Sequence, residues 1–87
     1  MVSQTITITN AQGLHMRPAM EFAQAMAKFE SDVNLKYNGS DFNGKSVINI
    51  MAGAIKCGSE IAVECSGPDE QAALDKAIEM IESGFGE

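Results

Sequence analysis

The stretch Val33-Asn34-Leu35-Lys36-Tyr37-Asn38-Gly39-Ser40-Asp41-Phe42-Asn43 decides the fold. Val33, Leu35 and Tyr37 alternate with Asn34 and Lys36, the period of two that turns one side of a strand to a core and the other to water. Asn38-Gly39 supplies the dipeptide that best accepts the two positive φ values of a type I′ turn, so the chain doubles back as a hairpin. The return strand, Ser40 to Asn43, is short and polar, as suits a sheet edge.

The same period recurs on both sides of the hairpin. Val2 to Thr9 sets Ile6 and Ile8 on one face and Thr5, Thr7 and Thr9 on the other. Glu60 to Ser66 does the same with Ile61, Val63 and Cys65. Between these strands the period lengthens. From Arg17 to Lys28, Ala19, Phe22, Ala23 and Met26 fall at helical spacing, with Pro18 in the first turn, where its missing amide costs no hydrogen bond. Ser46 is placed to cap a short helix running to about Gly53, whose apolar residues cover more of its circumference than a core stripe needs. Ile50 and Ala54 are expected in the core, and Ile48 and Met51 outside it. Gly67-Pro68-Asp69 turns the chain into a last helix, buried along Leu74, Ala77, Ile78 and Ile81 and ended by Gly84.

The order β-α-β-β-α-β-α, with each strand apolar on one face, predicts an α+β open-faced sandwich: a four-stranded antiparallel sheet covered on one face by three helices. Eighty-seven residues fit a single domain, 1–87, since so short a chain cannot divide its core.

Twelve acidic against six basic side chains give a net charge of −6, which argues against nucleic acid or an anionic membrane as a partner. No run approaches the roughly twenty apolar residues of a membrane span, and no early stretch has the build of a signal peptide, so a cytoplasmic location is expected. Two cysteines, Cys57 and Cys65, read as free thiols. With one histidine in the chain no metal set is expected, and nothing calls for a cofactor.

Chemistry concentrates in Gly13-Leu14-His15-Met16-Arg17-Pro18-Ala19. The sole histidine stands just ahead of a helix start, where first-turn amides and the positive end of the helix dipole make a corner for an anion. Arg17 adds a planar fork of donors matched to phosphate oxygens, and a neutral imidazole offers a ring-nitrogen lone pair able to attack phosphorus. Phosphoryl transfer asks mainly for positioning and charge stabilisation, which one nucleophile, a few amides and one cation can supply. A lone histidine before a helix can equally be a solvated or capping residue, with Arg17 an ordinary surface cation.

The segment closely resembles the Gly-(Leu/Ile)-His-x-Arg-Pro-Ala signature of the HPr family, the histidine-containing phosphocarriers of the phosphoenolpyruvate:sugar phosphotransferase system (PTS). The likeness extends through the Tyr37-Asn38-Gly39 hairpin, Lys45-Ser46 and its apolar helix, Gly58, and the Gly-Pro-Asp-Glu start of the last helix. It implies phosphorylation of His15 at Nδ1 (the pros nitrogen) by enzyme I, and transfer onward to IIA domains of sugar permeases. Arg17 and the backbone of Met16, Arg17 and Pro18 would stabilise the phosphoryl group. Met20, Val47, Ile48 and Met51 would form the partner-docking patch, and the protein would be a monomeric carrier without turnover of its own. Ser46 resembles the serine that an HPr kinase/phosphorylase modifies, with an unmodified helix cap as the alternative; that kinase/phosphorylase and a transcriptional regulator join enzyme I and the IIA domains as the partners the resemblance implies. Met16, Gln12, Gln24 and Asn49 depart from the common pattern and bear on partner choice. Two other readings stand beside the sugar carrier. One is a regulatory adaptor or nitrogen-branch carrier of the same fold. The other is an unrelated α+β anion- or small-molecule-binding domain, of acylphosphatase or ACT-like shape, in which His15 is incidental.

Overall fold

A hairpin at Asn38-Gly39 organises the sheet. In the computed structural model, which describes residues 1–86, Asn38 and Gly39 take φ values of 55° and 81°, both positive as a type I′ turn requires. They join β2 (Asp32–Tyr37) to β3 (Ser40–Asn43) in the register Tyr37↔Ser40 and Leu35↔Phe42. The remaining elements are β1 (Val2–Thr7), α1 (Met16–Met26), α2 (Val47–Ala52), β4 (Glu60–Ser66), α3 (Glu70–Glu82) and a closing 3-10 turn at Gly84–Gly86.

The strands lie in the order β1-β4-β2-β3, every neighbouring pair antiparallel. Val33 and Leu35 meet Cys65 and Val63 across the β2–β4 pair, and all four side chains are buried beneath the helices. The alternate residues Asn34, Lys36 and Glu64 face the other way. There Asn34 Nδ2 donates to Asp41 Oδ1 at 3.2 Å and to Glu64 Oε1 at 3.1 Å, a polar seam across three strands. The architecture is thus the expected α+β open-faced sandwich.

Helix α1 buries Ala19, Phe22, Ala23 and Met26, α2 buries Ile50, and α3 buries Leu74, Ala77, Ile78 and Ile81. Fully burying one Leu-, Ile- or Phe-sized side chain is worth about 1.5–3 kcal/mol, so these stripes hold the helices on the sheet. Gly84, at φ 65°, ends α3 in the left-handed conformation anticipated for it. Phe85 follows at φ 57°, unusual for an aromatic residue, and is buried with its ring edge-on to Phe22 at 6.3 Å between centroids.

Three boundaries differ from the sequence reading, each for a visible reason. Strand β1 stops at Thr7, because the Ser59 amide, opposite Ile8 and just before β4, turns to the Lys56 carbonyl (3.0 Å) and the Ile8 carbonyl takes the Gly58 amide instead. Helix α1 runs from Met16 to Met26: past it the amides of Lys28 and Phe29 bond three residues back, to Ala25 and Met26, which tightens and ends the last turn. Ala54, expected in the core, is exposed. Helix α2 ends at Ala52 with Gly53 as its C-cap, Ala54 flips to φ 49°, and Ile55 turns inward in its place.

Candidate functional site

His15 occupies the N-cap position of α1, with extended backbone at φ −80° and ψ −171°. The helical ladder begins with the Ala19 amide donating to the His15 carbonyl at 3.0 Å. The first-turn amides of Met16 and Arg17 precede that ladder, and Pro18 has no amide to offer. The anion corner anticipated from the sequence therefore reduces to two backbone donors; Pro18, which is buried, contributes a fixed φ and packing. The first turn of α1 carries no acidic side chain.

An open cleft of about 480 Å³ lies at this end of the molecule, lined by Thr9, Asn10, Ala11, Gln12, His15 and Arg17. It brings together the two residues singled out for chemistry. Thr9, Asn10 and Ala11 were not singled out by the sequence. They line the cleft because the chain leaving β1 makes a tight turn, in which the Gly13 amide donates to the Asn10 carbonyl at 2.9 Å and Asn10 Nδ2 donates to the Gly13 carbonyl.

That turn leans on the loop between α2 and β4. The Leu14 amide donates to the Ile55 carbonyl at 2.9 Å, the Gly58 amide to the Ile8 carbonyl at 2.7 Å, and Cys57 Sγ sits 3.7 Å from the Thr9 carbonyl. The contact at Gly13 has no room for a side chain: a Cβ there would stand 2.4 Å from the Ile55 oxygen and 2.7 Å from Lys56 Cα. Its φ of 66° also favours glycine. Cys57 and Cys65 are both free thiols, the first exposed and the second buried. Burial pushes the Cys65 thiol up from its ordinary pKa, with a smaller push from Glu70 and Asp69.

Helices α1 and α2 pack side by side, and each exposes large apolar residues. Ile48 is 81 % exposed, Met20 41 % and Met51 38 %, while Val47 is half-buried. Met16, next to His15 in the chain, is 60 % exposed and enlarges the apolar surface. Ile50 points the other way and is fully buried. Ser46 caps α2 as expected, its hydroxyl accepting the Asn49 amide at 3.3 Å. The serine thus stands at the head of the helix that carries Ile48 and Met51.

Residues 2–83 match the protein family described as PTS HPr component phosphorylation site. The chain belongs to the HPr family. It is 38 % identical over 87 residues to the phosphocarrier protein HPr of Treponema pallidum (strain Nichols), covering 100 % of this chain and 99 % of that one. It is 39 % identical to the phosphocarrier protein NPr of Escherichia coli (strain K12), over 99 % of this chain and 97 % of that one. Among solved structures, HPr-C-His from Thermoanaerobacter tengcongensis superposes with a TM-score of 0.97 at 37 % identity, covering 100 % and 98 % of the two chains. An HPr dimer from the same organism gives a TM-score of 0.80 at 37 % identity, with both chains fully covered. As an HPr-family member the chain is a phosphocarrier of the PTS, a carrier rather than a catalyst. Among the described residues no helix is long and apolar enough to cross a membrane.

Proposed function

We propose that this HPr-family chain accepts a phosphoryl group on Nδ1 of His15 from enzyme I of the PTS and passes it to IIA domains of sugar permeases. The observation that carries the reading is the meeting of His15 and Arg17 in one open cleft at the N-terminus of α1. The lone pair of the ring nitrogen attacks phosphorus, the bond from phosphorus to the donor breaks, and its electron pair leaves with the donor. The Arg17 guanidinium and the Met16 and Arg17 amides balance the charge on the phosphoryl oxygens. Onward transfer repeats the step with His15 as the leaving group. Met16, Met20, Val47, Ile48 and Met51 form the surface that donor and acceptor share, for which flexible methionine is suited. We place the protein in the cytoplasm and read the working unit as a single chain, since one copy holds the whole site.

Ser46 is the regulatory position in this reading. A phosphate there keeps an acceptor at the head of α2 and sets nearly two negative charges beside Ile48 and Met51, which blocks docking without unfolding the helix. The 39 % identity to an NPr favours a second role, carriage in a nitrogen-related branch of the PTS.

Incubation with phosphoenolpyruvate and enzyme I tests the reading. It expects one acid-labile, base-stable phosphate that His15→Ala abolishes and that a IIA domain removes. A chain that stays unlabelled refutes it. Comparing enzyme I with its nitrogen-branch counterpart as donor separates the two branches by their kcat/KM ratio.

A further inference from the structure

Asn10 is used neither by the signature nor by the proposed reaction, yet it lies in the same cleft as His15 and Arg17 and is only 6 % exposed. Its Nδ2 group donates to the Gly13 carbonyl, and its own backbone carbonyl accepts the Gly13 amide at 2.9 Å. At the other end of the Gly13–Leu14 peptide, the Leu14 amide is held by the Ile55 carbonyl at 2.9 Å. That peptide plane is therefore fixed at its oxygen by a side chain and at its nitrogen by the neighbouring loop.

The plane leads straight to the nucleophile. Between it and the imidazole stand only the dihedrals of Leu14, whose side chain is buried in the core, and those of His15, whose carbonyl starts the α1 ladder. Gly13 cannot slide to compensate for a lost bond, because it abuts the backbone of Ile55 and Lys56. If the Asn10 amide is removed, the buried Gly13 carbonyl loses a donor and the peptide turns to recover one. The backbone that aims His15 turns with it. A misplacement of about 1 Å at a reacting group can cost up to about a hundredfold in rate.

We propose that Asn10 is a positioning residue for phosphoryl transfer, its side-chain amide holding the Gly13–Leu14 peptide and thereby the His15 ring in line with phosphorus. The proposal rests on the assignment of His15 as the acceptor.

The test is the steady-state rate of phosphorylation by enzyme I and phosphoenolpyruvate, measured against carrier concentration for the parent chain, Asn10→Ala and Asn10→Ser. Urea unfolding of each fixes the folded fraction. The exposed apolar residues are carried by α1 and α2 and not by this turn, so KM should stay within about twofold while kcat for Asn10→Ala falls about tenfold. A serine hydroxyl makes the same kind of local bond more weakly, so Asn10→Ser should recover a clear part of that loss. An unchanged kcat for Asn10→Ala, a loss confined to KM, or a fall that only follows the unfolded fraction overturns the proposal. So does an Asn10→Ser variant no better than Asn10→Ala. A parent chain that takes no phosphate, or an acid-labile label that survives His15→Ala, instead overturns the acceptor assignment, and is seen before any Asn10 variant is compared.

Discussion

Ser31 and Asp69 are 38 residues apart in sequence and are joined by three hydrogen bonds: the Ser31 amide and hydroxyl both donate to Asp69 Oδ1, and the Asp69 amide donates back to the hydroxyl. The other carboxylate oxygen takes the Glu30 amide at 3.0 Å. The connection after α1 is thereby fastened to the first residues of α3. The Ser31 hydroxyl above all, then the backbone amides, hold the Asp69 carboxyl below its ordinary pKa. Glu70 is lowered as well, first by the Gly67 amide and then by the N-terminal ammonium.

A carboxylate with a depressed folded-state pKa contributes stability that is present above its unfolded value and lost as pH falls through the folded one. Urea-unfolding free energy should therefore be level from neutrality to about pH 4 and decline below it as these two groups protonate. Asp69→Asn should lower the urea midpoint at pH 7 and flatten the acid limb. An acid limb identical to that of the parent would show that Asp69 does not contribute to it.

Gly13→Ala should be the most damaging single-methyl change near the site. Left-handed backbone at a non-glycine residue costs about 1–3 kcal/mol, and the added carbon also meets the Ile55 oxygen. Urea titration should show at least that loss. Because the loop behind His15 has to move, the folded variant should accept phosphate more slowly than the parent.

Ile48 and Ile50 are two residues apart on α2 and should part company under mutation. Ile50→Ala opens a hole in the core and should cost about 2–5 kcal/mol. Ile48→Ser changes a residue that is 81 % exposed, so its stability should stay within about 0.5 kcal/mol of the parent. If the apolar surface docks partners, Ile48→Ser should raise KM for enzyme I several-fold and leave kcat alone.

At Ser46, capping and regulation predict opposite patterns. Ser46→Ala removes the acceptor for the Asn49 amide and should cost about 1 kcal/mol, with little effect on docking. Ser46→Asp keeps a capping oxygen and should unfold near the parent midpoint while raising KM for enzyme I. Equal KM values for the parent and Ser46→Asp would count against a regulatory charge at this position.

Much of this molecule is written in local pattern. Asn38-Gly39 announces its turn through the two positive φ values it tolerates, Ser46 its helix through a hydroxyl ahead of an apolar run, and Gly84 its helix end. That His15 and Arg17 share one cleft was legible for the same reason, the two being two residues apart at a helix start. Long-range contacts left no such trace. Asp69 sits where a cap for α3 is expected, yet its carboxylate bonds Glu30 and Ser31, and nothing in Gly67-Pro68-Asp69 points across the chain. Asn10 read as part of a polar link because its role depends on Gly13 being pressed against Ile55, a contact across 42 residues of sequence. Ala54 was misplaced because helical spacing was carried past the point where Gly53 ends the helix.

The register Val2↔Cys65 makes the first strand synthesised a partner of the last. A nascent chain can close the Asn38-Gly39 hairpin and coil α1 soon after those residues emerge, but β1 has no edge to join until Ser66 is clear of the ribosome. Completion of the sheet, and with it the seat of the loop that carries His15, waits on the fourth strand.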